Sequence, residues 1–200
     1  MKYIILVISA FLLWSCSEKK TSSKVSDEQA LFQIENVDQS TGLQKMQSSL
    51  FSEMIEAGGK SYQLYIQRSA TDSLPHVKSE MGLFADNRVV LNIKRQDQSN
   101  LYNKTFTKRD FASLLTESFL EKSVLEGLVF DHEKTESANG NIVLAASVSF
   151  PMTDLYVPFT IIITPTGRMT IERDEEAVDV PLFTDQFEQE ESTEEFDEGN

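Results

Sequence analysis

Thr107-Lys-Arg-Asp-Phe-Ala-Ser-Leu-Leu-Thr-Glu-Ser-Phe-Leu-Glu-Lys122 is the stretch on which the reading of the fold turns. Thr107 stands three residues before Asp110, the spacing of a capping box in which Asp replaces the usual Glu or Gln. Phe111, Leu114, Leu115, Phe119 and Leu120 then recur at three- and four-residue steps, with Arg109, Ser113, Thr116, Glu117 and Glu121 between them. That period predicts a helix with one apolar stripe.

On both sides of it the period changes to two. Upstream, Tyr62, Leu64 and Ile66 alternate with Gln63, Tyr65 and Gln67, and Gly58-Gly59 turns this run back onto the stretch from Phe51 to Ile55, predicting a hairpin. A loop over residues 69–87 leads to a strand around Val89, Leu91 and Ile93, and a polar turn leads to another from Leu101 to Phe106. Downstream, strands are predicted from Val124 to Phe130, Ile142 to Phe150, Tyr156 to Thr164 and Arg168 to Arg173. Asn139-Gly140 supplies the residue types that a type I′ turn demands, because both central positions need positive φ. Phe159, Ile161 and Ile163 against Ile162 predict a central strand covered on both faces.

A doubly wound fold needs a helix at each parallel crossover, which strands joined by tight turns around one helix do not provide. The expectation is therefore an α+β domain: a predominantly antiparallel, curved β-sheet of about eight strands packed on a single helix. A helix followed by four antiparallel strands is also the order of cystatin-like sheets, an analogy of fold that carries no activity.

The formal charge of -14 over 200 residues is concentrated at one end. Residues 174–200 hold 12 of the 32 acidic side chains and no Lys or Arg, leaving 20 acids against 18 bases in residues 1–173. The end reads as an acidic, disordered tail, whose Val180, Leu182, Phe183, Phe187 and Phe196 leave open a segment that docks on a basic partner. The nearly neutral remainder offers no basic stripe to phosphates, so no nucleic-acid partner is expected. Residues 16–46 read as a flexible tether, and residues 47–173 as one domain large enough for a core without disulfides.

Cys16 is the only cysteine, and it follows an apolar run from Ile4 to Trp14. That run is roughly half of the ~20 residues a spanning helix needs. Leu13-Trp14-Ser15-Cys16 is similar to the lipobox of bacterial lipoproteins, so residues 1–15 are expected to be a signal peptide and Cys16 the lipidated first residue of the mature chain. Two or three acyl chains anchor stably where one does not. The membrane is thus an expected partner through the lipid, and the resemblance to bacterial lipoproteins implies that Ser17, in place of Asp, sends the chain to the outer membrane, on its periplasmic or surface face.

Candidate chemistry is sparse. His76 and His132 are the only imidazoles, and a triad of His132, Asp131 and one of many serines can be drawn on paper without any Gly-x-Ser-x-Gly elbow to support it. No His-Glu-x-x-His pattern, calcium loop or phosphate loop is present, so neither metal nor cofactor is expected. Tyr62, Tyr65 and Tyr102 on neighbouring strands could form an aromatic platform. Asp72-Ser73-Leu74 is similar to the O-glycosylation acceptor of Bacteroidota, which makes Ser73 the candidate modified residue.

Ser73-Leu-Pro-His-Val77, Asp86-Asn87, Phe106-Thr-Lys-Arg-Asp-Phe111 and Ser147-Val-Ser-Phe-Pro-Met-Thr-Asp154 together resemble an uncharacterised lipoprotein family of Bacteroidota, a domain of unknown function. The resemblance implies an envelope lipoprotein and assigns no activity. Physically the segments read as punctuation, with Thr107 capping a helix, Asp86-Asn87 turning into a strand and Pro151 ending one. The expected function is a noncatalytic module that binds a protein partner or extracellular ligand. The alternatives are an envelope hydrolase using a carboxylate pair and a carrier of a hydrophobic ligand.

Overall fold

The computed structural model describes residues 34–174. The expected signal peptide, Cys16, Ser17 and all but the first residue of the acidic tail lie outside the described residues. Twelve strands run in the order β1 (Ile34–Val37), β2 (Leu43–Met46), β3 (Ser49–Ala57), β4 (Lys60–Ala70), β5 (Val77–Ser79), β6 (Gly82–Phe84), β7 (Asn87–Arg95) and β8 (Asn100–Phe106), then β9 (Val124–Phe130), β10 (Ile142–Ser149), β11 (Tyr156–Ile163) and β12 (Met169–Arg173). A 3-10 helix (Lys108–Leu114) and α1 (Glu117–Lys122) separate β8 from β9, and α2 (His132–Ser137) separates β9 from β10.

The expectation of one curved sheet on a single helix is overturned. Strand accounts for 55% and helix for 13% of the described residues, in three separate four-stranded sheets with three short helices. Two sheets are antiparallel throughout, β3-β4-β7-β8 and β12-β11-β10-β9. The third, β1-β2-β6-β5, contains one parallel pairing, β2 with β6. β1 and β2 fall within the stretch that composition reads as a tether, and β5-β6 is a hairpin inside the loop expected over residues 69–87.

Alternation explains which faces are buried. Tyr62, Leu64 and Ile66 of β4 lie opposite Arg95, Ile93 and Leu91 of β7, so the apolar members share one face. On β10 and β11 the same face carries Leu144 opposite Ile161 and Ile142 opposite Ile163. These residues form one core shared by the two antiparallel sheets, so their apolar faces are turned to each other. A smaller cluster, Met46, Val77, Phe84 and Val124, holds the third sheet.

The predicted helix breaks in two for a physical reason. Leu115 (φ -128, ψ 155) and Thr116 (φ -75, ψ 149) are extended, and the Thr116 hydroxyl accepts the Phe119 N–H at 3.3 Å as the cap of α1. A Thr inside an apolar-periodic run offers the backbone this alternative to a continuous helix. The break also lets two aromatic residues reach different places. Phe111 enters the main core between Phe106 of β8 (6.4 Å between ring centroids) and Phe159 of β11 (4.7 Å), whereas Phe119 stacks on Phe150 at 4.6 Å. Asp110 meets its expected role in part, since its carboxylate accepts the Thr107 N–H at 2.8 Å.

Gly58 and Gly59 both have positive φ and close the β3-β4 hairpin as expected. A Cβ on Gly58 would lie 2.7 Å from the Cα of Gly140, so two turns meet there with no room for a side chain. Asn139 (φ 52) and Gly140 (φ 88) adopt the expected conformations but join α2 to β10 and not two strands. Among the described residues no helix is long and apolar enough to cross a membrane.

Phe111→Ala should lower unfolding free energy by about 3–5 kcal/mol in denaturant titrations, because the emptied site lies between two sheets. A second expectation concerns the β1-β2 turn. The Ser40 hydroxyl, at 2.6 Å, together with the Ser40 and Thr41 N–H groups, holds the Asp38 carboxyl at about 2, below its usual 3.8. With the folded value below the unfolded one, the turn's contribution is complete above the usual value and is lost as pH falls through about 2. An NMR titration should place the Asp38 midpoint near 2, and Ser40→Ala should move it up towards 3.8.

Candidate ligand pocket

The β5-β6 hairpin and the loop before it face the start of the 3-10 helix and the end of α1 across a pocket of about 390 Å³. Leu74 and Pro75 give it an apolar wall, while His76, Lys78, Lys108, Arg109 and Lys122 stand against Asp86 and Glu121. The loop is closed at its base, because the Thr71 N–H donates to the Asp86 carbonyl at 2.9 Å.

Two charges in the wall are buried. Asp86 lies between β6 and β7 and is 2% exposed, and Lys108, the first residue of the 3-10 helix, is 7% exposed. The Lys108 ammonium donates to the Ser123 carbonyl at 2.6 Å and lies 3.4 Å from Asp86 Oδ2. Asp86 Oδ1 accepts the N–H groups of Asn87 (2.8 Å) and Leu125 (3.0 Å). Burial pushes the Asp86 carboxyl up, while Lys108 and the two N–H groups pull it back. Burial likewise pushes the Lys108 ammonium down against the attraction of Asp86. Both oxygens of Asp86 are thus engaged in the way a carboxylate is engaged.

Asn87 extends the cluster without lining the pocket, donating to the Leu125 carbonyl at 2.8 Å and to Met46 Sδ at 2.9 Å. Arg109 sits at the rim, where its guanidinium is 3.2 Å from Glu117. The structure therefore gathers three of the four segments picked out in the sequence, through Leu74-Pro75-His76, Asp86 and Thr107-Lys108-Arg109. The fourth lies behind: Phe150 supports Phe119 of α1, the helix that carries Glu121 and Lys122. Asp86 and Lys108 are more than punctuation.

The other expected site residues are scattered. His132 begins α2 with its ring 4.3 Å from Phe130, and Asp131 is used as the cap of that helix, accepting the Lys134 N–H at 2.8 Å. Asp131 is thus committed to the helix end, and among the described residues no hydrogen bond joins it to His132 in a triad. Tyr62 is buried in the core, whereas Tyr65 takes the opposite face of β4 and donates to Gln67 at 2.9 Å. Tyr102 donates to Met169 Sδ at 2.8 Å, and burial pushes its phenol up. The three tyrosines form no common platform. Ser73 is exposed in a turn, its hydroxyl 2.8 Å from that of Thr71, while neighbouring Asp72 pairs with Lys45 at 2.7 Å.

Lys78, Lys108, Arg109, Glu121 and Lys122 were not singled out as site residues from the sequence. Local pattern placed Arg109 and Glu121 on the polar side of a helix. The one available signal was the Lys108-Arg109 pair beside a helix cap in a nearly neutral domain.

Removing either member of the buried pair, by Asp86→Ala or Lys108→Met, should cost about 3–5 kcal/mol of stability, since each leaves the other charge uncompensated. The double variant should cost less than the sum in a double-mutant cycle. Strict additivity would mean that the two charges do not act as a unit.

No curated protein matches the sequence. Residues 27–171 match the family described as domain of unknown function DUF4738, which takes in the twelfth strand as far as Ile171 and every residue of the pocket. The chain belongs to the DUF4738 family.

Proposed function

We propose that this chain is a lipid-anchored lipoprotein of the cell envelope, held at the outer membrane by acyl groups on Cys16, whose domain binds a ligand without chemically changing it. The observation that carries the binding reading is the engagement of Asp86 and Lys108, the pocket's two buried ionic groups. Asp86 receives two N–H groups and faces an ammonium, and Lys108 donates to a backbone carbonyl. A general acid must hold a proton to give, and a nucleophile must have a lone pair to offer. The hydrolase alternative would use Asp86 and Glu121, which both line the pocket, as its carboxylate pair, but the Asp86 oxygens already meet two N–H groups and the Lys108 ammonium. The carrier alternative requires apolar space between the sheets, where Phe111, Leu144, Phe159 and Ile161 are packed in a common core.

The anchor rests on the apolar run before Leu13-Trp14-Ser15-Cys16 and on the resemblance to Bacteroidota lipoproteins. Ser73, exposed at the mouth of the loop beside Leu74, is the modification site proposed for an O-glycan. The binding partner is an extracellular ligand or protein, and the membrane is engaged through lipid alone.

Mass spectrometry of the chain isolated from its native envelope should find Cys16 as the first residue, carrying a diacylglyceryl group. Cys16→Ala should leave the protein unacylated and absent from the detergent phase of a phase-partitioning experiment. An unmodified Cys16 in wild-type material, or partitioning that ignores the substitution, sinks the anchor.

A further inference from the structure

We infer that the pocket between the β5-β6 hairpin and the segment from the 3-10 helix to α1 is an oxyanion site that takes the carboxylate or phosphate end of a small organic ligand, with the Lys108 ammonium as its inner charge. This deepens the binding reading above and depends on it. Four basic side chains, Lys78, Lys108, Arg109 and Lys122, line the pocket against two acidic ones, although the chain as a whole is strongly acidic. Asp86 offers little to a cation, since its oxygens already meet two N–H groups and Lys108.

Lys108 has three N–H donors, of which the Ser123 carbonyl and Asp86 Oδ2 take two. The third remains for a group in the pocket that Lys108 lines. Because this ammonium is buried, a hydrogen bond to an anion there is less weakened by water than one at the surface. Arg109 is oriented by Glu117 through one nitrogen, and its guanidinium has further donors for a planar or tetrahedral oxyanion. Lys78, exposed on β5, supplies charge from the opposite wall.

Size favours a small molecule. About 390 Å³ lies within the range of roughly 300–1,000 Å³ of small-ligand pockets, and Leu74 and Pro75 can cover an apolar carbon skeleton. Basic side chains on facing walls together with the apolar surface of Leu74 and Pro75 suit a short acid or phosphate ester.

The test uses the full-length protein in neutral detergent at low ionic strength, where surface charge is least screened. Inorganic phosphate, succinate and glycerol 3-phosphate are titrated by calorimetry, with glycerol as the uncharged control. At least one anion should bind saturably, with a Kd in the micromolar to low-millimolar range, and glycerol should not. K78Q/R109Q should weaken that binding at least tenfold with an unchanged melting temperature without ligand, because both side chains are exposed. K60Q, in the β3-β4 turn region, should bind as wild type does. Lys108→Gln can fail to fold, so the surface pair decides the matter. No saturable binding of any anion, equal binding of glycerol, or wild-type affinity in K78Q/R109Q overturns the oxyanion site. NMR of the recovered probe separates the two readings: a chemically altered ester would sink the noncatalytic reading while leaving the anion site in place.

Discussion

Leu125 has both its backbone polar groups held by two adjacent side chains where the chain enters β7: its N–H donates to Asp86 Oδ1, and its carbonyl accepts from the Asn87 amide. Two sheets packed face to face are normally joined by side-chain contact alone, since they stand about 10 Å apart, too far for ladder hydrogen bonds. Here Asp86-Asn87, at the entry to β7, takes the place of a neighbouring strand and ties the start of β9 to the opposite sheet. The bond to the carboxylate is the stronger of the two because its acceptor is charged. That charge is buried, so it requires a counter-ion, and Lys108 supplies it from the 3-10 helix. The conformation of the segment after β8 therefore follows from how Leu125 is held.

β9 is an edge strand of its sheet, and an edge exposes backbone groups that must be paired or covered. Its first residues and the one before them are covered almost entirely by side chains. Lys108 takes the Ser123 carbonyl, Asp86 and Asn87 take Leu125, and Arg68 of β4 donates to the Glu126 carbonyl at 2.7 Å. A second nitrogen of Arg68 donates to the Gln47 carbonyl at 2.8 Å, between β2 and β3, so one buried guanidinium joins the chain on either side of the core. Burial pushes this guanidinium down from its ordinary value, against the attraction of Glu126. Neutral side chains could make such bonds, but a fork of fixed geometry satisfies two carbonyls from one position.

The parts of the fold that could be read from sequence are those decided by local period. Tyr62-Leu64-Ile66 and Val89-Leu91-Ile93 alternate because each strand has one buried face, and the strands were found where the alternation lies. β5 and β6 have three residues each, too few to show a period, and β1 and β2 sit in polar sequence where only Leu43 and Met46 are buried. The helix failed differently: the apolar spacing from Phe111 to Leu120 is genuine, but it serves two separate contacts, and Thr116 caps the second piece. The pocket was legible only as fragments. His76, Asp86 and Lys108 are separated by ten and by twenty-two residues, and nothing local announces that a charged Lys beside a helix cap will be buried against an Asp from the link between β6 and β7.

Lys108 stands where the two halves of the structure's logic meet. It is needed by the fold as the counter-ion of Asp86, and it lines the pocket with an unused donor. Folding has already met the cost of desolvating and ordering this ammonium, so a ligand that reaches it does not bear that cost again. The coupling also runs the other way, because a ligand that binds the folded chain and not the unfolded one stabilises the folded chain in proportion to the logarithm of its concentration over Kd. An oxyanion on Lys108 would share the ammonium with Asp86 and place a second negative charge near a carboxyl that burial already pushes up. The N–H groups of Asn87 and Leu125 keep that carboxyl an acceptor when the ammonium is divided. In this arrangement the backbone of β9 serves as the second counter-charge, and the same contact that joins the two sheets holds Lys108 in the wall of the pocket.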